Sequence, residues 1–189
     1  MLDFDIDVRE LFAVMDELDP TERQIQLAFS RAMNRTAATL RRRSTSGLRA
    51  LLDLRTVGLL RQRLKSLKIK KNGLDGLRLW YGINPMPVSW FKGTPKAVGK
   101  RGRKKGESVT YRGEVFENSF VANSKVKGRK TIFKRKTNAR LPLEEQQMPI
   151  RDKAEVFVED EVFSEIEDVF WPYFVRDLRA RVTFKIGER

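Results

Sequence analysis

The chain has 189 residues, a length that suits a single domain, and 40% of them are hydrophobic, which is enough to build a core. It has no cysteine and no histidine, which excludes disulfides, thiolate metal sites, cysteine nucleophiles and histidine-based acid–base catalysis. Lysine and arginine outnumber aspartate and glutamate by 39 to 25, and the resulting net charge of +14 is unusual for an ordinary enzyme surface.

The N-terminal third has the apolar spacing of helices. Apolar residues from Asp7 to Leu18 predict one amphipathic helix. Asp19-Pro20-Thr21-Glu22 then provides an N-cap acceptor, a proline at the first helical position and a glutamate at the third. The following helix has a core-facing stripe from Ile25 to Leu40. Ser44-Thr45-Ser46-Gly47 predicts its end, and a further short helix is expected after a cap at Thr56.

The middle of the chain has the period of strands. From Leu67 apolar and charged residues alternate, which predicts strands over 67–71 and 77–83, with a further strand over 88–92. The glycine- and lysine-rich stretch 93–106 is predicted to be a loop, and Ser108–Phe116 is predicted to form the far arm of its hairpin. A second alternating pair joins Ser119–Ala122 to Thr131–Arg135.

The C-terminal third predicts a long helix from about Val158 to Arg181, which Pro172 should kink or split. A short final strand is expected over 182–186. The core face of the predicted long helix is made of Val162, Ile166, Val169, Phe170, Phe174 and Leu178. The expected fold class is α+β, with N-terminal helices and a long C-terminal helix packed on a mostly antiparallel β-sheet with extended basic hairpins. We expect one structural domain over 1–189, with an acidic N-terminal helix (1–19) and a projecting basic hairpin loop (93–106).

No segment has the pattern of a membrane span or a signal peptide. The longest apolar run, Val169–Val175, has seven residues and contains a proline, whereas a bilayer-spanning helix needs about 20 apolar residues. The first residues are acidic, where a signal peptide is basic. We expect a soluble protein that is made in a cytoplasm.

The charge is distributed in three blocks. Residues 1–30 have 8 acids and 2 bases, residues 31–140 have 5 acids and 30 bases, and residues 141–189 have 12 acids and 7 bases. The middle block repels itself, so we expect an anion close to it in the working state. Nucleic acid, acidic surfaces of partner subunits, or the acidic ends of neighbouring copies of the same chain would each serve.

Two basic clusters are the candidate contacts for phosphate or for an acidic partner. The alternative to phosphate contact is a hairpin tip that is solvated or buried against acidic neighbours, and basic residues alone do not distinguish the two. The first cluster lies in the loop 93–106 and the second lies around the next hairpin turn. The candidate residues are Lys96, Lys100, Arg101, Arg103, Lys104, Lys105, Lys125, Lys127, Arg129 and Lys130.

Carboxylates are dense in the C-terminal third, from Glu155 to Asp168, and a magnesium-dependent nuclease would need such a group. Their spacing lies opposite the apolar stripe of the predicted helix, so a solvated face or a subunit contact is favoured. The loop 93–106 lacks the GxxxxGK[ST] spacing of a phosphate-binding loop. We therefore expect no enzyme activity, no metal and no cofactor.

Five segments in this order resemble the minor tail protein Z family of tailed bacteriophages. They are AFSRAMNRTAATL (28–40) followed by TVGLLRQRLKSLKIKKN (56–72), the basic hairpin 98–106, NARLPLEEQQMPI (138–150) and WPYFVRDLRARVTFKI (171–186). The order and spacing of the segments support the resemblance more than any single motif does.

The resemblance implies a structural virion protein without catalytic residues. It implies a position at the tail top or neck, where a ring of copies, expected to be a hexamer, surrounds the DNA channel and joins the tail to the head connector. The implied partners are further copies of the chain, a tail terminator or tail tube protein, head connector or adaptor proteins, and packaged DNA. The alternative function is sequence-nonspecific nucleic-acid binding.

Overall fold

The computed structural model describes residues 8–71, 74–97, 108–125 and 128–188. Helices lie at both ends of this part of the chain: α1 (Val8–Leu18), α2 (Glu22–Leu51), α3 (Gly58–Arg61), α4 (Arg151–Phe157), a π-helical turn (Val158–Phe163) and α5 (Ile166–Thr183). Short strands follow α3 along the chain: β1 (Leu64–Lys71), β2 (Leu74–Tyr81), β3 (Met86–Pro87), β4 (Lys96–Ala97), β5 (Val109–Tyr111), β6 (Glu114–Phe116), β7 (Ser119–Asn123), β8 (Lys130–Arg135), β9 (Leu143–Glu145) and β10 (Gln147–Met148).

The α+β class predicted from the sequence is confirmed. The strands form four small antiparallel sheets, β1–β2, β3–β10, β4–β5–β6 and β7–β8–β9. The stretch predicted as a strand over 88–92 is instead a 3₁₀ turn (Val88–Trp90), followed by a single bridge between Phe91 and Leu54.

The chain divides into two compact units. The first comprises the described residues up to Gly47, together with 60–82 and those from Val156 onward. The second comprises Leu48–Leu59 and Ile83–Glu155. The first unit is mainly helical, and the second contains the sheets β3–β10, β4–β5–β6 and β7–β8–β9.

The helical unit is built on aromatic packing between α2 and α5. The small residues Ala28 and Ala32 of α2 are fully buried beside Phe29. The Phe29 ring meets Phe170 edge-on, with centroids 5.4 Å apart, and Phe170 stacks on Phe174 at 5.6 Å. The apolar stripe that the sequence predicts for the C-terminal helix is therefore confirmed as a core face.

The N-cap of α2 is Thr21 and not Asp19. The Gln24 amide donates to Thr21 Oγ1 (3.2 Å), and the Thr21 amide donates to Gln24 Oε1 (3.0 Å). This reciprocal pair is a capping box. The prediction of Asp19 as N-cap was wrong, because Asp19 lies two residues earlier with a φ of +46°.

The break predicted at Ser44-Thr45-Ser46-Gly47 was also wrong, because α2 continues to Leu51. Ser44 and Thr45 donate their hydroxyls to carbonyls one turn earlier, at 2.7 and 2.5 Å, so these side chains do not compete with the helix. Gly47 is required by packing, since a Cβ there would lie 2.1 Å from the Phe157 ring.

The C-terminal helix differs from its prediction at Pro172 and at its C-terminal end. Pro172 does not interrupt α5. The α-helical hydrogen-bonding pattern is interrupted earlier in the chain, at the π-helical turn. Residues 182–186 are not a strand. α5 runs to Thr183 and ends in a turn in which the Ile186 amide donates to the Arg181 carbonyl (2.9 Å).

Candidate interaction surface

The small sheet β4–β5–β6 flanks the basic loop in the chain. β4 pairs with β5 through Lys96 opposite Thr110 and Ala97 opposite Val109. The chain then reverses at Arg112-Gly113, and β6 pairs back onto β5. The pairing of β4 with β5 agrees with the predicted hairpin, but 108–116 is not a single arm, because the chain turns back within it. Five predicted contacts lie outside the described residues: Lys100, Arg101, Arg103, Lys104 and Lys105.

Arg112 occupies a strained position in the turn between β5 and β6. Arg112 and Gly113 have φ of +55° and +88°, the conformation that tight two-residue hairpin turns require. Asparagine, aspartate and glycine adopt it readily, whereas arginine is strained there by about 1 kcal/mol or more. An arginine at this position indicates that its side chain makes compensating contacts.

Those contacts link three segments of the second unit. The Arg112 guanidinium donates to the Leu52 carbonyl (3.0 Å), to the Lys92 carbonyl (3.3 Å) and to the Asp53 carboxylate. It also lies over the Phe91 and Tyr111 rings, at 5.4 and 5.6 Å. We call the ion-pair cluster of Asp53, Lys92 and Arg112 the latch.

Asp53 is the acidic member of the latch. Lys92 Nζ lies 3.1 Å from Asp53 Oδ1. A hydrogen bond from Lys92, reinforced by the charges of Lys92 and Arg112, holds the pKa of Asp53 below its usual value, although desolvation acts in the opposite direction. The latch thus neutralises part of the positive charge of this region internally.

An open groove of about 370 Å³ lies at the latch. Lys96 lines it, is exposed, and has no ion pair with any described residue. The lining residues are Asp53, Lys92, Gly93, Thr94, Lys96, Thr110, Tyr111 and Arg112. Three cations against one acid give the groove a net positive charge.

The second basic cluster lies around the turn between β7 and β8. Lys130 is opposite Asn123 in the ladder, and the Ser124 amide donates to the Arg129 carbonyl (2.7 Å). We call Lys125, Arg129 and Lys130 the basic turn. Lys125 and Lys130 are exposed and Arg129 is half-buried, and among the described residues none of the three has an ion-pair partner. Lys127, also predicted as a contact, lies outside the described residues.

Arg135 and Lys136, which follow the basic turn along the chain, have contacts within the chain. Lys134 lies opposite Glu144 in the strand register, and Lys136 Nζ is 3.9 Å from Glu144 Oε1. Arg135 lies over the Phe120 ring at 5.6 Å. The neighbouring Glu145 is used structurally, since it accepts from the Thr131 hydroxyl (2.6 Å) and from a backbone amide (3.0 Å). Lys136 therefore has an ion-pair partner in the chain, and the basic turn has none among the described residues.

The dense carboxylates of the C-terminal third are spread over separate helical faces. Glu155 pairs with Arg151 and Glu165 with Arg43, whereas Glu159, Asp160 and Glu161 point to solvent. Within residues 8–71, 74–97, 108–125 and 128–188, no group of three or more acidic side chains could hold a metal ion. The described helices also include none that is long and apolar enough to cross a membrane.

Comparison of the chain with protein families, curated proteins and solved structures gives no match.

The latch is the part of this surface that the sequence patterns did not predict. Arg112, Asp53 and Lys92 are far apart in the chain and carry no motif. The one available signal was Tyr-Arg-Gly-Glu at 111–114, which has the form of a two-residue hairpin turn with an unusual first residue. Of the predicted contacts, the structure places Lys96 in the groove and Lys125, Arg129 and Lys130 at the basic turn.

Proposed function

We propose that this chain is a structural virion protein of a tailed bacteriophage, which completes the head-proximal end of the tail and joins it to the head connector around the DNA channel. The sequence resemblance to the minor tail protein Z family suggests this role. The α+β fold, with packed long helices and small sheets, is compatible with it.

The observation that carries the proposal is the unequal pairing of charges in the second unit. Lys92 and Arg112 share the Asp53 carboxylate, and Lys136 pairs with Glu144 of the same chain. Lys96 and the basic turn are not, within the described residues. Cations left unpaired on and beside strands suit a protein whose counter-charges come from outside the chain.

In this proposal the protein acts by assembly and not by catalysis. Copies form a ring, expected to be a hexamer, which contacts a tail terminator or tail tube protein on one side and head connector or adaptor proteins on the other. Packaged DNA passes through the ring. The protein is made in the host cytoplasm and resides in the virion, at the tail top or neck.

Deleting the gene from the phage genome that carries it tests the proposal. We expect lysates with DNA-filled heads and tails that fail to join into infectious particles, and we expect a plasmid copy to restore joining. Electron microscopy with a labelled antibody should locate the chain at the head-proximal tail end. A normal yield of infectious particles from the deletion would reject the role.

Nucleic-acid binding is the second candidate, and the unpaired Lys96 and basic turn favour it as well. Each phosphate contact contributes about −0.9 to the slope of log affinity against log salt concentration. Four contacts therefore predict a slope of about −3.6 for a short DNA duplex. Tight binding of a monomer with that slope supports this function, and weak binding by an assembled ring supports the virion role.

A further inference from the structure

The described part of the chain does not provide an anion for the basic turn. The nearest acidic residues along the β7–β8–β9 sheet, Glu144 and Glu145, are committed to Lys136 and to Thr131. Within the basic turn, Lys130 is held in the β7–β8 ladder opposite Asn123, and the Arg129 carbonyl accepts from the Ser124 amide (2.7 Å). Backbone pairing at Arg129 and Lys130 lowers the entropic cost of binding through these two residues.

The first unit presents a surface of opposite charge. Glu159, Asp160 and Glu161 are consecutive and exposed, and we call them the acidic turn. They lie in the π-helical turn, whose apolar residues Val158 and Val162 are buried. These two anchors leave the three carboxylates between them facing solvent.

The backbone of the acidic turn is unusual as well as acidic. Helices of the π type are rare and occur frequently at functional sites. The Ser164 hydroxyl donates to the Asp160 carbonyl at 2.5 Å, which satisfies an acceptor where the π-helical turn ends. Acids on either side are paired, Glu155 with Arg151 and Glu165 with Arg43, but no described residue pairs with the acidic turn.

We infer that the basic turn of one copy binds the acidic turn of a second copy. This inference rests on the assembly role proposed above, and it names the partner of the basic surface as the chain itself. Lys125, Arg129 and Lys130 are cations and Glu159, Asp160 and Glu161 are anions, so the two surfaces are complementary in sign. Because the contact joins two different faces, it is heterologous and propagates from copy to copy into a ring or a stack.

Exposed ion pairs are individually weak, so the contact depends on their number and on salt. Three pairs of ordinary strength change an association constant by roughly 3- to 150-fold. The screening length falls from about 10 Å at 0.1 M salt to about 3 Å at 1 M. Self-association of the purified chain should therefore weaken as salt is added.

Charge reversal with complementary mixing tests the inference. The basic-reversed variant is Lys125→Glu/Arg129→Glu/Lys130→Glu, and the acid-reversed variant is Glu159→Lys/Asp160→Lys/Glu161→Lys. We expect each variant alone to associate about tenfold or more weakly than the wild type in sedimentation velocity at low salt. An equimolar mixture should associate again, because every reversed turn then meets a turn of opposite sign.

Matched controls separate a specific contact from net charge. Arg23→Glu/Arg42→Glu/Arg49→Glu, at exposed positions of α2, matches the basic-reversed variant in charge change. Asp16→Lys/Glu114→Lys/Glu117→Lys matches the acid-reversed one. Circular dichroism checks that all variants fold. Both controls should associate like the wild type, and an equal loss in the controls would overturn the inference.

Zero-length cross-linking identifies the residues in contact. A carbodiimide should join Lys125 or Lys130 to Glu159 or Glu161, and in a mixture of isotope-labelled and unlabelled chains the joined peptides should come from different copies. Cross-links confined to one copy would refute the contact. So would a basic-reversed variant that loses DNA binding while its self-association is unchanged.

The failure of this inference is distinguishable from the failure of the proposed function. The inference is read from the self-association of the purified chain, and the virion role is read from particles produced after gene deletion. If mixing the two variants restores association but the gene deletion gives normal particles, the contact is supported and the virion role is rejected. If the gene deletion prevents head–tail joining but charge reversal does not change self-association, the virion role is supported and the contact is rejected.

Discussion

Replacing Arg112 by methionine tests whether the latch holds the second unit together. Methionine keeps the apolar stem but has no donor for the Leu52 carbonyl, which the guanidinium reaches at 3.0 Å. The Lys92 carbonyl keeps a second donor, since the Tyr111 hydroxyl also donates to it (2.5 Å). The Leu52 carbonyl is therefore the acceptor that loses its partner.

The expected loss follows from these contacts. A carbonyl that loses its donor in a partly buried position costs about 1–3 kcal/mol. The two ring contacts contribute about 0.5–1 kcal/mol each. The Arg112 side chain is 28% exposed, which lowers these values. No free energy is assigned to its ion pair with the solvent-exposed Asp53 carboxylate. We expect the free energy of unfolding to fall by about 2–3 kcal/mol.

Urea unfolding followed by circular dichroism measures this difference. Lys92→Met is the matched control, because it removes the other cation of the latch, whose side chain is 54% exposed. It should not measurably move the urea midpoint. Arg112→Lys keeps the charge but not the planar fork of donors, so it should resemble methionine more than the wild type. Equal midpoints for Arg112→Met and Lys92→Met would refute the structural role of the latch.

Three further changes have defined outcomes. Asp177→Asn should cost about 2–4 kcal/mol in urea unfolding, because it leaves the Arg181 guanidinium, only 12% exposed, without its carboxylate; a loss seen at low salt and abolished at high salt would contradict this. Thr21→Ala should lower the free energy of unfolding by about 1 kcal/mol, and Asp19→Ala should leave it almost unchanged. A larger loss for Asp19→Ala than for Thr21→Ala would contradict this. Burial raises the pKa of Tyr81, so stability should fall as pH rises above about 10. Tyr81→Phe should remove both that loss and the latest step of tyrosinate absorbance.

The helical faces were predictable because many residues determine each one. Six apolar residues at helical spacing indicate the core face of the C-terminal helix, and one proline does not outweigh them. Pro172 is exposed, so the carbonyl that loses its donor is accessible to water. The continuity of α2 through Ser44 and Thr45 was not predictable, because it depends on where two hydroxyls point and on the Phe157 ring beside Gly47.

The charged surface was predictable in composition but not in pairing. Counting residues identifies the basic turn and the cations of β8 equally well. Which of them remain unpaired depends on strand register, since β9 places Glu144 opposite Lys134 and near Lys136. The latch depends on contacts between Arg112 and residues about 60 positions away in the chain, a separation that local patterns do not encode.

The π-helical turn sets the rotational phase of the helix that follows it. Each residue of an α-helix advances about 100° around the axis. Deleting one residue between Val158 and Phe163 would therefore turn the aromatic face of α5 away from Leu40 and Phe29, against which this stretch now packs. Point substitutions at the three exposed carboxylates carry no such penalty. The core thus constrains the length of the turn, whereas the chemistry of its exposed side chains is constrained only by what they bind.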